Sequence, residues 1–141
     1  MRRIILSMIV LVLGSPIFAQ NGDVVVKVTG IENDKGLIQI GLYNSEASFP
    51  VYEKVYKGVF PKANKGGVSY TFKNILEGTY AIAVYHDENS DKELNKNLFG
   101  VPKENYGFSN NKFGTFGPPD FKDVSFKVEA GKNTSLSINL E

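Results

Sequence analysis

Leu76-Glu77-Gly78-Thr79-Tyr80-Ala81-Ile82-Ala83-Val84-Tyr85 decides the fold, because a glycine turn opens directly onto a strict period of two. Tyr80, Ile82 and Val84 alternate with Ala81, Ala83 and Tyr85, as in a strand that turns one face to a core. A leucine, a glycine turn and a tyrosine opening a strand also fit the tyrosine corner of Greek-key sandwiches, where the buried phenol bonds nearby backbone. A core tyrosine lacking that bond fits the same residues. On either reading Tyr80 and Gly78 are structural.

The same period recurs on both sides. Val24, Val26 and Val28 alternate with Val25, Lys27 and Thr29, and Ile38, Ile40 and Leu42 with Leu37, Gln39 and Gly41. The turn Asn33-Asp34-Lys35-Gly36 between these runs predicts a hairpin. Val68, Tyr70 and Phe72 give another strand. Val124, Phe126 and Val128 give the next, and Leu136, Ile138 and Leu140 the last, across the turn Ala130-Gly131-Lys132-Asn133. A seventh strand is expected near Val55 to Phe60, although Ser45 to Lys54 also suits a helical turn before Pro61. Strands with one apolar face need a second sheet to bury it, so the expected architecture is all-β: a single antiparallel Greek-key sandwich of about seven strands.

At the start, Met1-Arg2-Arg3, the apolar run Ile4 to Leu13 and the small residues up to Ala19 form a Sec-type signal peptide over residues 1–19. The run is shorter than the about 20 residues of a membrane-spanning helix, and no cysteine follows to carry a lipid anchor. Residues 20–141 are thus expected to be one β-sandwich domain, periplasmic or secreted, with no membrane span once the leader is cut. Without Arg2 and Arg3 the balance is 14 basic to 15 acidic residues, which offers no electrostatic footprint for nucleic acid. With no cysteine and one histidine, His86, thiol chemistry and multi-histidine metal centres are excluded within the chain.

His86-Asp87-Glu88-Asn89-Ser90-Asp91-Lys92-Glu93-Leu94-Asn95 follows the deciding strand and places oxygen-bearing side chains at every second position. It opens a loop of about thirty-five residues, down to Phe121, and loops this long are usually functional or disordered. Counted as a calcium loop from Asp87, the donor positions fall on Asp87, Asn89, Asp91, Glu93 (through its carbonyl), Asn95 and Leu98. Leu98 cannot donate a carboxylate, Lys92 stands where glycine is usual and no helices flank the loop, so a complete EF-hand is rejected. A partial cage needs Glu104, or next Glu88 or Asp120, to complete it. Lys92, Lys96 and Lys103 oppose a cation, so the expected Ca²⁺ site is of the weak extracellular kind, about 10⁻⁴ to 10⁻³ M. Asp and Asn acting only as turn formers explain the same residues without a metal. No other cofactor is implied.

By period His86 shares the core face of Tyr80, Ile82 and Val84, which suits a hydrogen-bonded core histidine. An enzyme, such as a small hydrolase-like one, would need His86 beside a carboxylate with Ser90 or Ser109 as nucleophile, and no nucleophile-elbow motif supports that. Farther on, glycines interleave with Phe99, Tyr106, Phe108, Phe113, Phe116 and Phe121, expected mostly as a satellite core under the loop. The functional alternative is a concave site for a carbohydrate or peptide formed by His86, Tyr106, Phe108, Asn110, Asn111 and Phe116. Pro118-Pro119 stiffens the return. The sequon at Asn133 carries no weight.

Gly78-Thr79-Tyr80-Ala81, His86-Asp87-Glu88-Asn89, Gly100-Val101-Pro102-Lys103-Glu104, Tyr106-Gly107-Phe108-Ser109-Asn110 and Gly117-Pro118-Pro119-Asp120-Phe121, in this order, resemble the bacterial exported family known as domain of unknown function 2141. The resemblance covers nearly all of residues 20–141. It implies a transthyretin-like or immunoglobulin-like β-sandwich in the periplasm or outside the cell, and it carries over no catalytic residue. Lys92 and Asn95 depart from the family's glycine-containing acidic series. The expected function is therefore a non-catalytic module of the cell envelope, binding or structural, centred on residues 86–121. An envelope protein, a peptide or a carbohydrate is its expected partner, reached through the loop or through an exposed strand edge.

Overall fold

Eight strands form, one more than expected, because Tyr106–Phe108 pairs as a strand inside the span 86–121 expected as a single loop; the computed structural model describes residues 21–141, and the expected leader, residues 1–19, lies outside the described residues. In chain order they are β1 (Gly22–Thr29), β2 (Leu37–Tyr43), β3 (Lys57–Val59), β4 (Val68–Ile75), β5 (Gly78–Asp87), β6 (Tyr106–Phe108), β7 (Phe126–Val128) and β8 (Thr134–Asn139). A one-turn helix, α1 (Phe121–Val124), precedes β7, and 3-10 turns occupy Tyr52–Lys54 and Ser109–Asn111. Both expectations for 45–60 hold together, a helical turn followed by a short strand. No helix among the described residues is long and apolar enough to cross a membrane.

The strands stack as two sheets. One has the order β4-β1-β8, and the other β3-β2-β5-β6 with β7 also pairing with β5. Val24, Val26, Val28, Val68, Phe72 and Ile138 face Ile38, Ile40, Leu42, Tyr80, Ile82 and Val84 across a closed core. Three sequence expectations change here. β1 and β2 are not a hairpin but lie in opposite sheets, as do β7 and β8. Paired side by side, two such strands would put their apolar residues on one face of one sheet, whereas crossing over sets the faces against each other. The sandwich is also not purely antiparallel, since β1 and β8 run parallel from Val24↔Thr134 to Thr29↔Asn139. Val124 belongs to α1 rather than to a strand, because its side chain turns to the other side of the five-stranded sheet.

That other side is a second core. Phe49 meets Tyr43, Phe108 and Phe121 edge-on at centroid distances of 5.4, 5.8 and 5.9 Å, with Ala81 and Val124 sealed beneath. β2 and β5 are therefore buried on both faces, and Gln39, expected on a polar face, is 2% exposed.

Tyr80 forms the corner that the sequence suggests. Its hydroxyl donates to the Leu76 carbonyl at 3.0 Å, and its ring folds back over the bare Cα of Gly78, where a Cβ would stand 3.2 Å from a ring carbon. Tyr80→Phe keeps the ring and loses the bond, so chemical denaturation is expected to report a loss of about 1 kcal/mol with unchanged slope.

Candidate functional site

The last residue of β5 organises the loop that follows. Asp87 is fully buried, its Oδ1 accepts the Asp91 amide at 3.1 Å and its Oδ2 accepts the Lys92 amide at 2.9 Å. Gly36, at φ +68°, lets the start of β2 lie against this end, since a Cβ there would fall 2.0 Å from the Asp87 carbonyl oxygen. Ser90 and Lys92 both take left-handed φ, 60° and 64°, so Lys92 adopts the backbone for which glycine is usual. Its ammonium stands 5.5 Å over the Phe60 ring.

Asn89, Asp91 and Asn95 then converge. Asp91 Oδ1 accepts the Glu93 amide at 2.8 Å, while Oδ2 accepts the carboxamides of Asn89 at 2.7 Å and Asn95 at 2.9 Å. The Asn95 carboxamide, then the Glu93 amide and then Asn89 hold the Asp91 carboxyl below the usual range. Glu104 joins from the far end of the loop, its Oε2 accepting the Asn95 amide at 3.0 Å. Partial burial, opposed by that bond, raises its carboxyl, and the charges of Asp87 and Asp91 raise it further. Of the expected oxygen donors the fold thus gathers Asp87, Asn89, Asp91, Asn95 and Glu104. The side chains of Glu88 and Glu93 stay exposed, and Asp120 pairs with Lys122 at 3.4 Å instead. As placed, no group of three or more acidic or histidine side chains among the described residues stands close enough to hold an ion. The loop's oxygens are engaged by its own amides.

Between Asn95 and Glu104 the chain makes a narrow hairpin. The Lys103 amide donates to the Asn95 carbonyl at 2.8 Å, and Lys96 pairs with Pro102. Asn97 ties off the apex, its Oδ1 accepting the Phe99 and Val101 amides at 2.9 and 3.1 Å and its carbonyl the Gly100 amide at 3.0 Å. The apex side chains touch almost nothing: Leu98 is 101% exposed, Phe99 91% and Val101 55%. This tip went unrecognised in the sequence, where Phe99-Gly100-Val101 reads as part of the buried aromatic series. The available signal was two apolar residues held between a turn-forming Asn97 and Gly100.

The remaining expected ligand-binding residues do not form one concavity. His86 is buried, its Nε2–H donating to the Lys35 carbonyl at 2.7 Å, with Nδ1 unpartnered among the described residues. The ion pairs among the described residues are Lys122–Asp120 and Lys132–Glu129, so no carboxylate pairs with this imidazole. Phe108 lies in the second core with Tyr106 and Phe113 against it, whereas Phe116 is fully exposed. Asn110 and Asn111, at φ 63° and 50°, turn their amides to backbone, Asn110 to Ser125 at 3.0 Å and Asn111 to Ser137 at 3.0 Å. Ser109 is sealed: its Oγ accepts the Ile82 amide at 2.9 Å and donates to the Val124 carbonyl. Pro118 and Pro119 line a shallow open cleft with Lys112, Phe113 and Thr115. Tyr85 and Gln39 stand opposite each other on β5 and β2, buried, and Tyr85 Oη and Gln39 Nε2 have no partner among the described residues. Burial first, then the charge of Asp87, raises the Tyr85 hydroxyl far above its usual range.

The sequence model of a family described as "Uncharacterized protein conserved in bacteria (DUF2141)" matches residues 26–137. No curated protein and no solved structure gives a significant match.

Proposed function

The chain belongs to this bacterial family, and from that premise we propose that it is a non-catalytic module of the cell envelope, exported by its leader, that binds through the rigid loop between β5 and β6. One observation carries the reading. A loop fastened by Asp87, Asp91, Asn97 and Glu104 holds large apolar side chains wholly in solvent, an arrangement that costs solubility and suits display to a partner. The groups a hydrolase would need support the same reading, since His86 and Ser109 are bonded to backbone inside the protein. In the bacterial host, the wild-type chain is expected to fractionate with the envelope and Leu98→Ser/Phe99→Ser to appear in the soluble fraction. Identical fractionation of the two would remove the display role.

A second reading, Ca²⁺ drawing the loop's side chains together and ordering it, is favoured by the charges of Asp87 and Asp91 acting on Glu104, with no lysine or arginine among the described residues paired to the three. The donors are hard oxygens, and a half-turn of the Asn89 and Asn95 amides exchanges their nitrogens for oxygens. Because its carboxyl is raised in the folded state, Glu104 contributes stability that is present at low pH and lost as pH rises through its folded pKa. For Asp91, held low, the contribution is present at neutral pH and lost on acidification. Glu104→Gln is therefore expected to melt no lower than wild type in chelator at pH 7. Calcium at ten times its Kd is expected to add about 1.4 kcal/mol to wild type and nothing to the variant. A wild-type melt unmoved by saturating calcium refutes this reading.

A further inference from the structure

We propose that the hairpin Asn95–Lys103 is a membrane-contacting tip that inserts Leu98 and Phe99 into the interfacial layer of a bilayer bearing anionic headgroups. The inference rests on the display reading and gives it a partner. Shape comes first. Leu98 and Phe99 occupy the end of a two-legged projection closed by Asn97, and a convex apex of this kind finds full burial only in a matching pocket or in a medium that deforms around it.

Charge then selects between those. From Lys96 to Lys103 the chain carries two lysines and no acid, and every acidic residue of the loop lies behind them, at Asp87, Glu88, Asp91, Glu93 and Glu104. Lys96 faces Pro102 and Lys103 faces Asn95, so the lysines occupy successive rungs and leave opposite faces of the hairpin. Both are exposed. The result is an apolar apex, a basic collar and an acidic base in order along one projection. That order matches an anionic interface, in which apolar side chains enter the acyl boundary and lysines reach the headgroup phosphates. An apolar protein pocket has no need of the collar.

The test is co-sedimentation of the full mature chain with vesicles in calcium-containing buffer, comparing phosphatidylcholine alone with mixtures containing phosphatidylglycerol. Wild type is expected to bind the phosphatidylglycerol vesicles and to lose binding as salt rises. Leu98→Ser/Phe99→Ser is expected to bind roughly tenfold or more weakly. Lys96→Gln/Lys103→Gln should bind phosphatidylglycerol vesicles about 25-fold more weakly, from about fivefold per lysine. Phe116→Ser, an equally exposed apolar residue outside the hairpin, should bind as wild type does. Thermal melts of all three variants should match wild type, because none of the altered side chains is buried. Absence of wild-type binding, or equal binding by Leu98→Ser/Phe99→Ser, overturns the proposal, as does an equal loss in Phe116→Ser. Should the envelope fractionation still depend on Leu98 and Phe99 while vesicles fail to bind, the lipid assignment falls and the display role stands.

Discussion

Phe49→Ala is expected to destabilise the domain by about 3–4 kcal/mol. At this chain length that lowers the melting temperature by roughly 12–15 °C. Phe49 lies on the crossover between β2 and β3, outside any strand, yet its ring is the hub that Tyr43, Phe108 and Phe121 touch. Three aromatic edges close around the site, and those rings belong to a strand, a short edge strand and α1 that cannot all move inward together. The cavity thus persists, which keeps the cost within the range for a buried aromatic. A loss below about 1 kcal/mol would mean that the outer layer is a loose cover and not a core. Phe116→Ala, whose ring is fully exposed, is the matched control and should change stability by less than about 0.5 kcal/mol.

Ser109→Ala comes next, with an expected loss of about 2–3 kcal/mol despite removing a single oxygen atom. β6 and β7 pair with the same edge of β5, at Ala83–Tyr85 and at Gly78–Tyr80, so together they form one interrupted edge strand. Ile82 falls in the interruption. Its amide would have no ladder partner there, and Ser109 Oγ supplies one while donating its own O–H to the Val124 carbonyl. Alanine leaves a buried donor and a buried acceptor unmet, and that penalty exceeds the value of an ordinary hydrogen bond. Ser125→Ala removes an exposed hydroxyl bond to the Lys122 carbonyl and should cost less than about 0.5 kcal/mol. Equal losses in the two variants would show that the interruption does not depend on Ser109.

These two residues mark where sequence reading succeeds and stops. Alternation locates strands well, as at Val24–Val28 and Ile38–Leu42, because every second side chain must enter the core. It is silent about partners: the same pattern serves a hairpin or a crossover, and β1 takes β4 and β8 as neighbours while β2 takes β3 and β5. Gly78 and Tyr80 were legible because a corner needs a glycine and a phenol at fixed spacing within one short segment. Ser109 was not, since its partners Ile82 and Val124 are 27 and 15 residues away. The oxygen loop was legible in position but not in environment. Period two sets Asp87 on the side away from the core, and the following loop, folding its Asp91 and Lys92 amides onto the carboxylate, makes that side an interior as well.

The parallel pairing of β1 with β8 ties the earliest strand to the final one. Until Thr134–Asn139 arrives, β1 has only β4 beside it, and Ile138 and Leu140 are missing from the floor of the core. Ring closure over more than a hundred residues is slow and comes late on the route to the native state. A polypeptide threaded through a membrane with its amino end leading would therefore stay pliable until its tail had passed, and then lock.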